Sequence, residues 1–173
     1  NCFAYITNYV GEKISIPFGE PQPMTTGQIA EVVRDFSSSA QRAVKAGFDG
    51  VEIHAANGYL VEQFLNPHVN TRTDDYGGNI SNRLRFLLEV VDAVAKSIGS
   101  SRTGLRISPF GNLHDMPEYP EISSTYLTLA RELSRYPLAY LHVFDQSAFG
   151  TGVIPPDFIS ELRQNFRGTL MLN

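Results

Sequence analysis

The chain has 173 residues, 42% of them apolar, and a formal net charge of −4 at neutral pH. That composition suits one packed core and excludes collagen-like, disordered and disulfide-scaffold classes, while a pI near 5.5 argues against a surface built to hold nucleic-acid phosphates. The one cysteine, Cys2, rules out an internal disulfide, and with no apolar run long enough for a bilayer and no leader pattern the default expectation is a cytoplasmic protein.

Residues 1–24 are rich in Pro and Gly and alternate at Phe3, Tyr5, Ile14 and Ile16, which predicts a hairpin on a surface loop. From residue 25 onward, helix and strand patterns alternate. Ile29, Val32, Val33, Phe36, Ala40, Ala43 and Val44 form an apolar stripe, with Thr26 as the expected N-cap and Gly47 as the stop. Asp49 to His54 reads as a strand. Ser81 precedes a second helix, striped by Phe86, Leu87, Val90, Val91, Val94 and Ile98 and ended near Gly99. Thr103 to Ser108 is the next strand, and Ser123 or Ser124 caps a helix carrying Tyr126, Leu127, Ala130 and Leu133. Leu138 to Phe144 is a strand, Pro155 and Pro156 open a helix with Phe158, Ile159, Leu162 and Phe166, and Thr169 to Leu172 closes as strand.

Strands joined through helices run parallel, and a parallel sheet needs its faces covered. An open doubly wound sheet and part of a (βα)₈ barrel both satisfy this. The strand phase favours the barrel: Val51, Ile53, Leu105, Ile107, Leu141 and Val143 face the helices, leaving Glu52, His54, Arg106, Ser108, Tyr140 and His142 to point at the axis. Ionisable groups converging from three strands need partners, which suggests an active site rather than plain packing. A full barrel takes roughly 250 residues, so residues 25–173 are expected to form the central part of one barrel domain, about four βα units. Asn1 and Asn173 read as cut ends.

The catalytic rim of such a barrel lies at the C-terminal ends of its strands, and the segment His54, Ala55, Ala56, Asn57, Gly58, Tyr59 falls there. His54 and Asn57 can aim two N–H donors at one carbonyl oxygen, as in an oxyanion hole, and Tyr59 adds an acidic O–H nearby. On spacing alone, a core histidine and a packed loop tyrosine account for the same residues as well. Arg106 has the inward phase, and an ion pair with Glu52 is its structural alternative. His68 and His114 sit in loops without companions at ligand spacing, so no metal site is expected. His142 reads as a packed inward histidine. Phe110, Phe144 and Phe149 are candidates for lining a substrate pocket.

The stretch from Gly47 to Leu60, GFDGVEIHAANGYL, continues through QFLNP (63–67), NTRTDDYGG (70–78) and Asn82-Arg83. It resembles the central signature of the Old Yellow Enzyme family, and the similarity runs from about Met24 to Asn173. The resemblance implies a flavin-dependent oxidoreductase that uses FMN and NAD(P)H to reduce the C=C bond of an enone or enal. It implies that His54 and Asn57 hold the carbonyl oxygen against the flavin, that Tyr59 protonates the α-carbon, and that Arg106 contacts the flavin's pyrimidine end. Arg72, Asp74, Tyr76, Gly77 and Gly78 belong to the signature without an expected catalytic role. The resemblance also implies a phosphate-binding segment beyond residue 173, so the remainder of the barrel is the expected partner and a homo-oligomer a further option. Three alternatives stay open: an enoate or dienoyl reductase with an additional iron–sulfur module, a hydrolase using Glu52, and a catalytically silent fragment.

Overall fold

The computed structural model describes residues 3–17, 19, 21–147, 150 and 152–173. Cys2 and Phe149 therefore lie outside the described residues. An antiparallel hairpin comes first, formed by β1 (Phe3–Thr7) and β2 (Lys13–Pro17) with Ala4 opposite Ile16. Asn8 Oδ1 closes its turn by accepting the N–H groups of Val10 and Glu12, each at 3.0 Å.

Helix α1 (Thr26–Lys45) is capped by Thr25 and not, as the sequence suggested, by Thr26. The reason is a capping box: Thr25 Oγ1 accepts Gln28 N–H at 3.2 Å while Gln28 Oε1 accepts Thr25 N–H at 2.8 Å. Strand β3 (Val51–Ala55) leads into α2 (Leu60–Leu65), a six-residue helix too short to show an amphipathic period in the sequence. Helix α3 (Ile80–Ile98) has its cap two residues earlier than expected, because Asn79 Oδ1 and not Ser81 accepts the free Asn82 N–H at 2.9 Å. Strand β4 (Thr103–Ile107) precedes α4 (Ile122–Leu133), which has no side-chain cap; the hydroxyl of Ser124 instead donates back to the Glu121 carbonyl at 3.1 Å. Strand β5 (Tyr140–Val143), helix α5 (Pro156–Asn165) and strand β6 (Leu170–Leu172) complete the order.

The four later strands form one parallel sheet in the order β3-β4-β5-β6. A doubly wound sheet reverses its strand order at a switch point and carries helices on both faces. Here the order follows the chain, and one face alone is apolar: Ile53, Leu105, Ile107, Leu141 and Val143 are at most 3% exposed beneath the helices. The chain is thus part of a (βα)₈ barrel. Leu84, Leu87, Val90 and Val91 of α3, Leu129 and Leu133 of α4 and Leu162 of α5 fill the space between sheet and helices, all fully buried. Each such side chain contributes on the order of 2 kcal/mol through area removed from water.

The opposite face carries the polar residues in layers set by strand register. Glu52, Gly104 and Tyr140 lie side by side in one layer, and His54, Arg106, His142 and Met171 in the next. Gly104 makes room for its neighbour, since a Cβ there would stand 2.4 Å from Tyr140 Cζ. Among the described residues no helix is long and apolar enough to cross a membrane, and no group of three or more His, Cys, Asp or Glu could hold a metal ion.

Candidate active site

After β3 the chain turns sharply through two residues in the left-handed region, Asn57 at φ 60° and Gly58 at φ 75°. Asn is one of the few side chains that tolerate this region. At Gly58 no side chain fits, because a Cβ would stand 2.4 Å from the Leu113 carbonyl oxygen. The turn is held from below by a buried carboxylate that the sequence reading missed. Glu62, on α2 and 4% exposed, accepts the Gly58 N–H at 2.6 Å on one oxygen and the hydroxyls of Ser108 and Tyr126 at 2.9 and 2.8 Å on the other. Ser108 Oγ in turn accepts the Asn57 N–H at 2.8 Å. Burial pushes the Glu62 carboxyl up in pKa, and its three donors oppose that shift without reversing it. A lone acid within the apolar run Leu60, Val61, Phe64, Leu65 was the available signal.

Asn57 is fixed on its remaining sides as well. Its carbonyl oxygen accepts the His114 Nδ1–H at 2.6 Å, and its Oδ1 accepts an N–H of Gln146 at 3.1 Å. The sequence reading placed His114 in a loop without metal-ligand companions and gave it no part in the site. A left-handed backbone at φ 58° instead swings it into the site, where its ring lies 4.7 Å from that of Tyr59, and the Tyr59 ring lies 5.3 Å from that of His54. Tyr59 is 52% exposed. Among the described residues no hydrogen bond engages the His54 ring, the Asn57 Nδ2 or the Tyr59 hydroxyl, so the donors singled out in the sequence share one rim with their capacity unspent.

Burial holds the His54 pKa below its ordinary value of 6.5, assisted by the positive charge of Arg106 and opposed by Glu52. At neutral pH the imidazole is therefore neutral and offers one N–H. Arg106 lies beside His54 across the β3/β4 register, with its guanidinium carbon 4.1 Å from the centre of the Phe144 ring. Its Nε is buried without a hydrogen-bond partner among the described residues. The ion pair with Glu52 raised from the sequence does not form: the Glu52 carboxylate bonds His142 Nδ1 at 2.9 Å instead. His142 is the packed inward histidine expected, with its Nε2 buried and without a hydrogen-bond partner among the described residues.

Phe110 packs edge to face on Phe158, with ring centres 5.0 Å apart, and also lines an open cavity with Tyr119 and Ile122, while Phe144 lies against Arg106. The signature loop is structural. Arg72 binds Asp74 through two nitrogens and donates to the Met24 carbonyl, while buried Arg83 donates to the carbonyls of Leu65 and Gly78.

Residues 6–165 match the profile of the NADH:flavin oxidoreductase / NADH oxidase family. The chain belongs to that family. Its relatives include 12-oxophytodienoate reductase 2 of Arabidopsis thaliana, 41% identical over 157 residues, which cover 89% of this chain and 41% of that protein. A putative 12-oxophytodienoate reductase 10 of Oryza sativa subsp. japonica is 41% identical over 166 residues, covering 91% of this chain and 52% of that one. Among solved structures, morphinone reductase superposes with a TM-score of 0.90 at 42% identity, covering 98% of this chain and 46% of that chain. An old yellow enzyme homologue from Zymomonas mobilis gives 0.87 at 32% identity, covering 98% and 47%. The chain therefore spans about half or less of the length of these Old Yellow Enzyme relatives.

Proposed function

We propose that the protein carrying this chain is an FMN-dependent ene-reductase, in which residues 25–173 form the central part of the barrel and residues 1–24 an added hairpin. The observation that carries this reading is the set of unspent donors on one polar face: the His54 ring, Asn57 Nδ2 and the Tyr59 hydroxyl at the rim, with the buried, unpartnered Arg106 Nε behind them.

That arrangement fits an electron-rich planar cofactor. A buried guanidinium with a free N–H is costly unless an acceptor reaches it, and the flavin's pyrimidine carbonyls are acceptors of the right kind. FMN, when bound, supplies hydride chemistry between NAD(P)H and an activated alkene. His54, kept neutral, and Asn57 donate to the carbonyl oxygen of an enone or enal and stabilise the negative charge that grows there, an effect worth about 3 kcal/mol per donor in comparable sites. Tyr59 holds the proton destined for the substrate's α-carbon, and its exposure lets solvent restore that proton. The relatives named for 12-oxophytodienoate and morphinone, both conjugated carbonyl compounds, support this substrate class. Since the relatives are about twice as long, the rest of the barrel would supply the FMN phosphate site, which lies late in barrels of this kind.

The test is a spectrum of the FMN-loaded protein before and after a para-substituted phenol is added. A new long-wavelength charge-transfer band is expected, and it should vanish in the double variant His54→Ala/Asn57→Ala. A protein that takes up FMN but gives no band and no enone turnover would sink the proposal.

A further inference from the structure

We infer that Gln146 is a positioning residue that dictates which end of the Asn57 amide faces the substrate; this rests on the function proposed above. Gln146 lies in the loop after β5, 1% exposed, and joins the loops that follow β3, β4 and β5. Its Oε1 accepts the backbone N–H groups of Asn112 at 3.1 Å and Leu113 at 3.3 Å. A backbone N–H can only donate, so these two bonds fix the orientation of the Gln146 amide. Its Nε2 must then face Asn57, where it donates at 3.1 Å, and the group that receives it must be the acceptor Oδ1. The Asn57 amide is thereby set with Nδ2 outward. Its backbone is already anchored through Ser108 and His114, and Gln146 removes the half-turn about the terminal torsion that would exchange Oδ1 and Nδ2. Without that constraint, an asparagine can offer a carbonyl oxygen with nearly equal ease, and an acceptor facing a substrate carbonyl repels it. Gly111 leaves room for the arrangement, since a Cβ there would stand 2.3 Å from Gln146 Nε2.

Two substitutions separate orientation from support. Gln146→Glu keeps an acceptor for Asn112 and Leu113, so the loop stays tied, but presents a second acceptor to Asn57 and turns its amide around. Gln146→Met removes both interactions and leaves the amide free. The measurement is the KM and kcat for 2-cyclohexenone, a neutral probe, in the FMN-loaded enzyme, with flavin content as the check on folding. KM should rise about 30-fold in Gln146→Glu and about 5-fold in Gln146→Met, the size of one lost or reversed hydrogen bond. Both effects should shrink to within about twofold in an Asn57→Ala background, because no amide remains to orient. A Gln146→Glu enzyme that matches the wild type, or losses equally large in the Asn57→Ala background, would overturn the inference. If Gln146→Glu fails to take up flavin, the Gln146→Met pair decides by the same criterion. A wild-type holoenzyme that turns over no enone would refute the proposed function itself, and this inference with it.

Discussion

The Glu62 carboxylate accepts the Gly58 N–H at 2.6 Å, and through Ser108 it also holds the amide of Asn57, so one buried acid fixes both left-handed residues of the rim turn. The turn's shape thus depends on a group that touches no substrate. Replacing Glu62 by Leu should strand the Gly58 N–H and two hydroxyls, at a cost on the order of 3 kcal/mol. Glu62→Gln should cost about 1 kcal/mol, since the hydroxyls of Ser108 and Tyr126 can rotate to accept its NH₂. Urea denaturation of the two variants against wild type checks the ordering.

The same acid should give the fold a pH signature. Burial raises its pKa above the ordinary 4.5, so the folded state binds the proton more tightly than the unfolded chain. The resulting stability is fully present below pH 4.5 and is lost as the pH rises through the folded-state value. Stability measured from pH 4 to 8 should show this decline in the wild type, and Glu62→Gln should remove it. An unchanged slope in Glu62→Gln would mean that another group carries it.

His54 should behave in the opposite sense. Its folded pKa lies below 6.5, so its contribution is present above that value and is lost as the pH falls towards the folded one. Arg106→Gln deletes the second-largest cause of the depression. The His54 titration followed by imidazole NMR should shift upward in that variant while staying below 6.5, because burial, the first cause, remains.

Gly58→Ala should be among the most damaging single-methyl changes in the chain. The added Cβ would meet the Leu113 oxygen at 2.4 Å and sit on a backbone at φ 75°. Strain of this kind costs about 1–3 kcal/mol before the clash is counted. Gly78→Ala, at φ 80° with open space around its Cβ, is the control that isolates the backbone share. A melting-temperature loss equal in the two variants would show that the contact with Leu113 contributes nothing.

Tyr59→Phe should separate the two half-reactions of the proposed chemistry. Loss of the phenolic proton should slow reoxidation by an enone about 100-fold, within the usual range for a general acid. Reduction of bound FMN by NADPH or NADH should change less than about threefold, because no proton from Tyr59 enters that step. Stopped-flow absorbance of each half-reaction distinguishes the outcomes.

The barrel architecture was legible because strand side chains alternate strictly: apolar Ile53, Leu105 and Leu141 on one face force His54, Arg106 and His142 onto the other. Helix starts were off by one or two residues because the true caps, Thr25 and Asn79, stand next to equally plausible hydroxyls. The supporting residues escaped for a different reason. Glu62, His114 and Gln146 reach Asn57 from separations of up to 89 residues, and the left-handed backbone at His114 leaves no periodic trace. The partners of the Asn57-Gly58 turn could not be read without the register that brings three loops together.

Arg106 carries a buried N–H for which no acceptor stands among the described residues. A structure built this way is at its least stable when empty, and any group that accepts that N–H raises its melting temperature by mass action. In a cell, the abundance of such a protein would track the supply of its ligand, with unliganded copies turned over first.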